Sequence, residues 1–406
     1  MVTQKDKTGL LSGLRIIELG HAVAVPFGTS LLSDFGAEII KIEDPTQGDM
    51  CRDFGPKKNG VGLWWKVTGR NKKCVTLNLK DPRGVDLCKR LIATADAVVE
   101  NFRPGVLKRL GLGNDVLRSI KPDLVITSVS GYGQTGPFSD RPGFGKVGEA
   151  MGGVMNLTGE VNGAPLAPGF SFADCCSGMF SALSTMMALY HRDAMKGVAA
   201  TLDIGLFEPI QRMIEWQVIV ADQLGIVAKR SGARFPLEGS GFSNCFPCRD
   251  GKWVMISAAS ATVVRRVLNA IDTAGALAKD PRFATDDALL KNLDGLDSEA
   301  RTWIAARDRD PVITRFTEVG AVCGPIYDAA DIMADPQVLA REDVIEIDDP
   351  DLGKTRMVGV VPKVPEAPGR VRWAGPALGA HNHEVFASIL GLKAAEIDQL
   401  RAAGIV

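Results

Sequence analysis

An excess of charge of either sign is missing from this 406-residue sequence, which has 47 Lys and Arg residues against 48 Asp and Glu residues. A net charge of -1 gives no broad basic field, so we expect neither nucleic acid nor a membrane as a partner. No run of 18 apolar residues occurs, and the first residues lack the apolar stretch of a signal peptide. We therefore expect a cytoplasmic protein whose eight cysteines are reduced thiols.

Several catalytic signatures are also missing. The four histidines form no HExxH motif and no Ser-His-Asp order, and no strand is followed by a Walker loop or a GxGxxG motif. Nucleotide hydrolysis and ordinary NAD binding are therefore disfavoured. The CxxC motif at Cys245 and Cys248 lacks the second Cys or His pair of a zinc finger. We expect no metal and no permanently bound cofactor.

Short apolar runs alternate with helical patterns over the first 130 residues. The predicted strands are Leu14–Leu19, Glu38–Ile42, Cys74–Leu79, Ala97–Val99 and Leu124–Val129. This alternation predicts an α/β fold with a Rossmann-like, mainly parallel sheet in a large domain. The pattern changes near residue 226, which predicts segments 1–225 (large domain), 226–330 (a smaller α+β domain) and 331–406 (C-terminal).

Two polar segments flank predicted strands. Arg70-Asn-Lys-Lys73 comes just before one, where it is either a solvated loop or an edge that faces phosphate groups. Glu100-Asn-Phe-Arg-Pro-Gly105 directly follows another, at the carboxyl end where open α/β sheets bind ligands. A simple strand-to-helix turn would also use Asn, Pro and Gly, so both interpretations stay open.

Asp174 precedes a long apolar helix, predicted at about Ser177–His191. Aspartate is a preferred N-cap because its carboxylate accepts hydrogen bonds from the free amides of a helix start. A carboxylate held there among small side chains is also an accessible nucleophile, and the two roles do not exclude each other. The neighbouring Cys175 and Cys176 are possible lining residues of such a site.

These segments together resemble the class III CoA-transferases, the CaiB/BaiF-like family of formyl-CoA transferase and carnitine CoA-transferase. The resemblance runs from Leu14 to the C-terminus. Its pieces are Leu14-Arg-Ile-Ile-Glu-Leu, Leu32-Ser-Asp-Phe-Gly-Ala-Glu-Ile-Ile-Lys-Ile-Glu43, Arg70-Asn-Lys-Lys, Glu100-Asn-Phe-Arg-Pro-Gly105, Gly131-Tyr-Gly-Gln-Thr-Gly-Pro137, Ala173-Asp174 and Gly379-Ala-His-Asn-His-Glu-Val385. Their order and spacing make the match specific.

The resemblance implies a large domain built from both chain ends, a small domain, and an interlocked homodimer or a heterodimer with a related chain. It implies that Asp174 is the catalytic nucleophile, that acyl-CoA and carboxylic acids are the substrates, and that a loop near Gly239-Ser-Gly241 supplies oxyanion donors. CoA contacts would fall on His21, Val23, Ala24, Leu77, Asn78, Lys80, Asn101, Phe102, Arg103 and Arg109.

Two positions depart from formyl-CoA transferase. Val23 stands where that enzyme has glutamine, and Gly145 stands where it has glutamate; Glu149, one helical turn on, is a candidate substitute. The loss of polar groups predicts an acceptor larger than formate or oxalate, such as an aromatic or branched dicarboxylate, for example benzylsuccinate. Succinyl-CoA is the expected donor.

Two alternatives remain. An α-methylacyl-CoA racemase shares the fold but needs a His-Asp pair in a Gly-His-Asp stretch, where this chain has Gly143-Phe144-Gly145. The chain could also be one subunit of a hetero-oligomeric CoA-transferase that requires a related chain, although the retained Asp174 favours an active subunit.

Overall fold

The structure, a computed structural model, describes residues 9–236, 239 and 241–406 and divides into two compact units. The first unit comprises Met1–Gly153, Pro168–Ile214 and Pro336–Val406. The second comprises Val154–Ala167 and Glu215–Asp335. Compared with the segment 226–330 expected from the sequence, the second unit starts earlier, at Glu215, ends later, at Asp335, and also includes the short stretch Val154–Ala167.

The strands alternate with helices through most of the chain. In chain order the strands are β1 (Arg15–Leu19), β2 (Glu38–Glu43), β3 (Lys57–Lys58), β4 (Val61–Gly62), β5 (Lys72–Thr76), β6 (Ala97–Glu100), β7 (Val125–Ser130), β8 (Thr201–Gly205), β9 (Phe242–Pro247), β10 (Trp253–Ala258), β11 (Cys323–Ile326), β12 (Val344–Asp349) and β13 (Gly353–Val358).

The helices are α1 (Ala24–Asp34), α2 (Leu63–Thr68), α3 (Pro82–Ile92), α4 (Val106–Arg109), α5 (Asn114–Ile120), α6 (Gly145–Met151), α7 (Val154–Leu157), α8 (Phe172–Asp193), α9 (Glu208–Met213), α10 (Trp216–Leu224), α11 (Ala261–Ile271), α12 (Asp286–Lys291), α13 (Leu293–Ala305), α14 (Arg309–Glu318), α15 (Ala329–Ala334), α16 (Pro336–Ala340), α17 (Asn382–Leu390) and α18 (Ala394–Ala402). Met50–Asp53 and Leu277–Lys279 are 3-10 helices.

The first unit is built on a six-stranded parallel sheet with the order β5-β2-β1-β6-β7-β8. Counted along the chain these strands run 3-2-1-4-5-6, the doubly wound order of Rossmann folds. The predicted α/β class is therefore confirmed. In such sheets ligands bind beyond the carboxyl ends of the strands where the order reverses, which here is between β1 and β6.

Both faces of the parallel sheet are covered by helices, so its strands are apolar on both sides. Neighbouring residues point to opposite faces: Ile16 joins the core beneath α1 and α8, whereas Ile17 joins the core beneath α3 and α5. The C-terminal helices α17 and α18 complete the second core through Phe386 and Ile397. The large unit is thus built from both ends of the chain.

The second unit is centred on the antiparallel sheet β11-β10-β9. Helices α11, α13 and α14 cover this sheet, and α12 packs against α11 and α13. The apolar side chains meet in one core that includes Ile256, Val267, Phe283 and Phe316. This arrangement is the small α+β domain that the sequence predicts.

The basic segment at residues 70–73 is neither a solvated loop nor a phosphate-facing edge. Strand β5 begins at Lys72, two residues before the predicted start, and the basic side chains turn inward to carboxylates of neighbouring elements. Arg70 pairs with Asp34, Lys72 Nζ lies 2.8 Å from Glu18 Oε2, and Lys73 Nζ lies 2.8 Å from Glu38 Oε1. These pairs could not be predicted, because their carboxylates are distant along the chain.

Four fully or almost fully buried charges form a network below the carboxyl ends of β1 and β2. Lys41 Nζ lies 2.7 Å from Glu18 Oε1, 2.7 Å from Asp49 Oδ2 and 2.7 Å from the carbonyl oxygen of Gly20. Burial alone would raise the pKa of Glu18, but Lys41 and Lys72 outweigh it and lower that pKa. The two lysines and two carboxylates balance in charge, which offsets their desolvation.

Helix α8 has the length and apolar composition of a membrane-crossing segment, with 22 residues and a mean hydropathy of 1.2 over its most apolar window. Half of that window is buried in the protein, however. Its buried face packs against α1 and β7. A core helix passes the same test of length and composition, so this feature is weak evidence for a membrane span.

Replacing Glu18 with Gln should destabilise the protein by about 3–5 kcal/mol, because two buried ammonium groups would lose their shared carboxylate. Urea denaturation would measure the change. Glu346→Gln is the control: Glu346 forms an exposed pair with Lys354, with side chains 53% and 76% exposed, and its loss should cost less than about 1 kcal/mol. Equal unfolding midpoints for the two variants would contradict the structural role of the network.

Candidate active site

The loops after β1 and β6 are joined directly at the point where the strand order reverses. The backbone N–H of His21 donates to Asn101 Oδ1 at 2.8 Å, and Asn101 Nδ2 donates to the carbonyl oxygen of His21 at 2.9 Å. The His21 ring meets Phe102 edge-on, with ring centroids 5.2 Å apart. Burial lowers the pKa of His21, so its imidazole is neutral near pH 7.

Ala22 adopts a left-handed backbone conformation with a φ of 60°, which is unusual for a residue with a β-carbon. Its N–H donates to Asp49 Oδ1 at 3.0 Å, and Asp49 is held in turn by Lys41. The buried charge network therefore fixes the backbone of this loop. Such strain is typical of functional sites and persists only where the surroundings enforce it.

Asp174 is not the N-cap that the sequence indicates. Helix α8 begins at Phe172, so Asp174 is its third residue, and Ser171 is the residue before the helix. The Phe172 N–H donates to Glu149 Oε1 at 3.0 Å, so a carboxylate from α6 satisfies the helix start. Among the described residues, no hydrogen bond or ion pair holds the Asp174 carboxylate.

Glu149 is fully buried and is held by Lys146 on the same helix. Lys146 Nζ lies 3.1 Å and 2.9 Å from the two carboxylate oxygens of Glu149. It also donates to the carbonyl oxygens of Pro168 at 2.8 Å and Phe170 at 2.7 Å. Lys146 and Glu149 together fasten the segment before α8 to α6.

The first residue of α6, Gly145, touches the Asp174 carboxylate. A β-carbon built on Gly145 would lie 2.2 Å from Asp174 Oδ2 and 2.7 Å from its Cγ, which is closer than non-bonded atoms approach. The absence of a glutamate at position 145 therefore has a steric explanation. No side chain fits there while the Asp174 carboxylate stays where it is.

The environment of Asp174 makes its carboxylate more basic than usual. Burial, followed by the negative charge of Glu149, raises the pKa of Asp174 to about 6, and Lys146 partly opposes this effect. The group is largely ionised at pH 7.5 but is a stronger base than an exposed aspartate. An ionised, basic carboxylate without hydrogen-bond partners is suited to nucleophilic attack.

Asp174 lines a small pocket of about 120 Å³ at this edge of the sheet. Four of the predicted contact residues also line it, namely His21, Val23, Ala24 and Asn101. The pocket combines the first turn of α8 with the loops after β1 and β6. Elements distant in sequence therefore meet around the candidate nucleophile, as the carboxyl-end rule anticipates.

A second, larger cavity of about 1100 Å³ adjoins the small pocket, and His21, Met50 and Phe144 line both. Its walls include the predicted contact residues Leu77, Lys80 and Phe102. Cavities of roughly 300–1000 Å³ are typical for extended small ligands. A long ligand in the large cavity could therefore present one end to Asp174.

Three predicted CoA contacts lie outside these two cavities. Asn78 Oδ1 accepts a hydrogen bond from the Lys80 N–H at 3.1 Å, and Arg109 is exposed. Arg103 lines a separate pocket of about 240 Å³ together with Glu100. These three assignments, like the seven whose residues line a cavity, stay predictions.

The segment after β2 belongs to the candidate site, although it was not predicted from the sequence. Asp44, Thr46, Gln47, Gly48 and Met50 line the large cavity. This segment directly follows the predicted strand Glu38–Ile42. The rule that ligands bind at the carboxyl ends of strands, which pointed to Asn101, could therefore have identified it as well. Phe144 lines both cavities. The stretch Gly143-Phe144-Gly145 had been noted only because it lacks the polar residues of related enzymes.

The remaining candidates lie elsewhere. Cys175 and Cys176 line neither space, and burial raises the pKa of both thiols to about 11, so they are protonated at pH 7. Ser240, in the predicted oxyanion loop, lies outside the described residues. Within the described part of the chain, no group of three His, Cys, Asp or Glu side chains could hold a metal ion.

Two CoA-transferases are similar to this chain over nearly its whole length. The succinyl-CoA–D-citramalate CoA-transferase of Chloroflexus aurantiacus is 40% identical over 397 residues, which is 98% of each chain. The β subunit of the succinyl-CoA–L-malate CoA-transferase from the same organism is 38% identical over 399 residues, again 98% of each chain.

The fold has a matching solved structure. A CAIB/BAIF family protein from Brucella suis superposes with a TM-score of 0.83 at 30% identity, covering 94% of this chain and 100% of that one. Residues 11–382 match the sequence family described as CoA-transferase family III. The resemblance drawn from the sequence is therefore confirmed, and the chain belongs to CoA-transferase family III and is a transferase.

Proposed function

We propose that this enzyme moves CoA from succinyl-CoA to a short dicarboxylate, with Asp174 as the covalent nucleophile. One observation carries this proposal: the Asp174 carboxylate has no partner among the described residues and lines a pocket that joins a much larger cavity. In our proposal the large cavity holds the pantetheine arm of CoA, along Leu77, Lys80 and Phe102. The small pocket holds the reacting acyl group.

In the first half of the reaction, an oxygen of Asp174 attacks the thioester carbonyl of succinyl-CoA. The new C–O bond forms as the C–S bond breaks, which gives a mixed anhydride and CoA thiolate. The thiolate then attacks Cγ of Asp174 and expels succinate, leaving an aspartyl-CoA thioester. CoA held along the large cavity makes this return step effectively intramolecular.

The second half repeats these steps in reverse with the acceptor. The acceptor carboxylate attacks Cγ of the aspartyl thioester. The new C–O bond forms a second anhydride, and the C–S bond breaks to release CoA thiolate. The thiolate attacks the acceptor's acyl carbon, and the Asp174 carboxylate leaves unchanged. No proton, water molecule or redox partner is consumed, so the reaction needs no permanently bound cofactor.

The size of the small pocket favours a short acceptor. Its volume of about 120 Å³ is small beside the roughly 300–1000 Å³ of drug-sized ligand sites, which suits a four- or five-carbon acid better than an aromatic one. The similar enzymes named for citramalate and malate act on acids of this size. We therefore propose a branched or hydroxylated short dicarboxylate and no longer favour benzylsuccinate. Val23 and Gly145 still argue against formate and oxalate.

We also propose that the enzyme works as a dimer of interlocked chains. An apolar stripe on α8, formed by Met179, Leu183, Met187 and Tyr190, is 41–64% exposed. These residues are spaced three or four apart and so share one helix face, which a second subunit would cover. The L-malate enzyme with separately named α and β subunits keeps a heterodimer open.

Asp174→Asn should abolish CoA exchange, with a loss of about 10³-fold or more, because an amide oxygen cannot form the anhydride. Hydroxylamine added with succinyl-CoA should label Asp174 in the wild-type enzyme, and mass spectrometry of the peptide would locate the label. Asp348→Asn, at an exposed position, is the matched control. Full exchange by the Asp174 variant would refute the nucleophile assignment.

The same variant should also be more stable than the wild type at pH 7.5. A pKa raised by folding means that the folded state holds the ionised form less well than the unfolded chain, so ionisation above about pH 6 costs stability. Asn mimics the neutral form and should add on the order of 1–2 kcal/mol in urea denaturation. The gain should develop between about pH 4 and pH 6 and should vanish at about pH 2, where both states are protonated.

Gly145→Ala should reduce activity strongly while the fold is kept. The added carbon would meet the end of a side chain and not the backbone, so the protein can yield by moving the Asp174 carboxylate. A displacement of about 1 Å can cost about 100-fold in rate. Gly295→Ala, in the first turn of α13, meets its nearest atom at 3.4 Å and is the control. Wild-type rates in both variants would contradict the close contact.

The purified chain alone should convert short branched or hydroxylated dicarboxylates with succinyl-CoA at least about tenfold more efficiently than benzylsuccinate or oxalate. Mass spectrometry of the acyl-CoA products, with kcat/KM for each acid, would measure this. A preference for benzylsuccinate would overturn the acceptor proposal. Activity only after addition of a related chain would replace the homodimer with a heterodimer.

A further inference from the structure

Two carboxylates compete for the same helix start, and the more remote one occupies it. The first amides of α8 would normally be capped by an acidic side chain close in sequence, and Asp174 in the first turn is available. Instead the Phe172 N–H donates to Glu149, 23 residues away, and shares its proton with the Phe170 carbonyl oxygen. Asp174 consequently keeps its oxygens unbonded although they lie beside a helix start.

Glu149 is held in place at the start of α8 by several contacts. It is fully buried, it accepts from Phe172, and Lys146 contacts both of its oxygens. Lys146 in turn makes two hydrogen bonds to the backbone of the segment that enters α8, at Pro168 and Phe170. One lysine thus fixes both the carboxylate and the segment that it caps.

We propose that Glu149, held by Lys146, is a positioning residue that takes the capping role from Asp174 and so leaves the Asp174 carboxylate free to attack. The inference rests on the proposed nucleophilic role of Asp174. Glu149 does not touch the substrate in this scheme and acts only through Asp174. From the sequence alone, Glu149 is a candidate substitute for the glutamate missing at Gly145, which is a different role.

The charge of Glu149 supports the same arrangement. A neighbouring anion disfavours ionisation of Asp174, whereas Lys146 favours it, and both contribute to the raised pKa of Asp174. Other titratable groups on the elements around α8 are His21 after β1, Asp34 on α1, Asp203 on β8, Glu208 and Arg212 on α9, and Cys175, Cys176, Tyr190, His191, Arg192 and Asp193 on α8 itself. Of all these groups, only Glu149 and Lys146 shift the pKa of Asp174.

Two substitutions separate the geometric effect from the charge effect. Glu149→Ala removes the cap, so Asp174 should turn toward the Phe172 N–H and kcat should fall by about 10- to 100-fold with KM for acyl-CoA nearly unchanged. Glu149→Gln keeps an oxygen that can accept from Phe172 but removes the charge. It should lose less activity, and the acid limb of its kcat/KM profile, near pH 6 in the wild type, should move to lower pH.

Glu346→Ala is the matched control because Glu346 also pairs with a lysine but lies on the exposed hairpin of β12 and β13. It should change neither rate nor pH profile. A merely structural Glu149 would lower the melting temperature without moving the acid limb in Glu149→Gln, and that result would overturn the proposal. If Glu149→Ala does not fold, Glu149→Asp keeps the charge but shortens the reach to the Phe172 N–H, and an unchanged kcat in that variant would overturn the proposal.

Hydroxylamine labelling distinguishes failure of this inference from failure of the proposed function. Labelling of Asp174 at the wild-type rate in Glu149→Ala would refute the positioning role and leave the nucleophile assignment intact. No labelling and no CoA exchange in the wild-type enzyme would refute the proposed function itself. Slow labelling of Asp174 in Glu149→Ala, with normal labelling in Glu346→Ala, is the expected result.

Discussion

The buried pairing of Lys41 with Glu18 and Asp49 is the interaction on which the candidate site depends. Lys41 lies on β2 and contacts Glu18 and the Gly20 carbonyl oxygen at the end of β1. It also contacts Asp49 in the segment that follows β2. A buried ammonium must be matched by carboxylates, because its desolvation otherwise costs several kcal/mol. This requirement fixes both loops at the carboxyl edge of the sheet. The strained backbone of Ala22 is one consequence, since Asp49 accepts its N–H.

The two cavities follow from that fixed edge. The loop after β1 contributes His21 to both of them, and the segment after β2, which begins near Glu43, forms a wall of the larger one. Asn101 ties the loop after β6 to His21, so three parallel strands deliver their loops to one place. A Rossmann-like sheet without a glycine-rich motif can therefore still present a ligand site at its switch point, held by buried charge and side-chain amides in place of glycine turns.

Local patterns in the sequence predicted much of this arrangement. The alternation of Ile16 and Ile17 between two cores follows from strand periodicity, and the carboxyl-end rule identified the segment that contains Asn101. The pairing of the basic segment could not be predicted, since Arg70 meets Asp34 and Lys72 meets Glu18 from other elements. Sequence shows charge but not burial. Only the folded sheet brings those partners within reach.

The misassigned helix cap illustrates the same limit with a functional consequence. Local propensity predicts that Asp174 caps α8, and a local cap would lower the basicity of its carboxylate through hydrogen bonds. The fold supplies Glu149 for that task and brings Gly145 against Asp174, so the carboxylate stays buried, unbonded and close to another negative charge. Each of these features costs stability, and each increases nucleophilicity. A local rule that fails at one buried carboxylate is therefore evidence of function there, because an unpaired group in such a place persists only when the surrounding structure holds it.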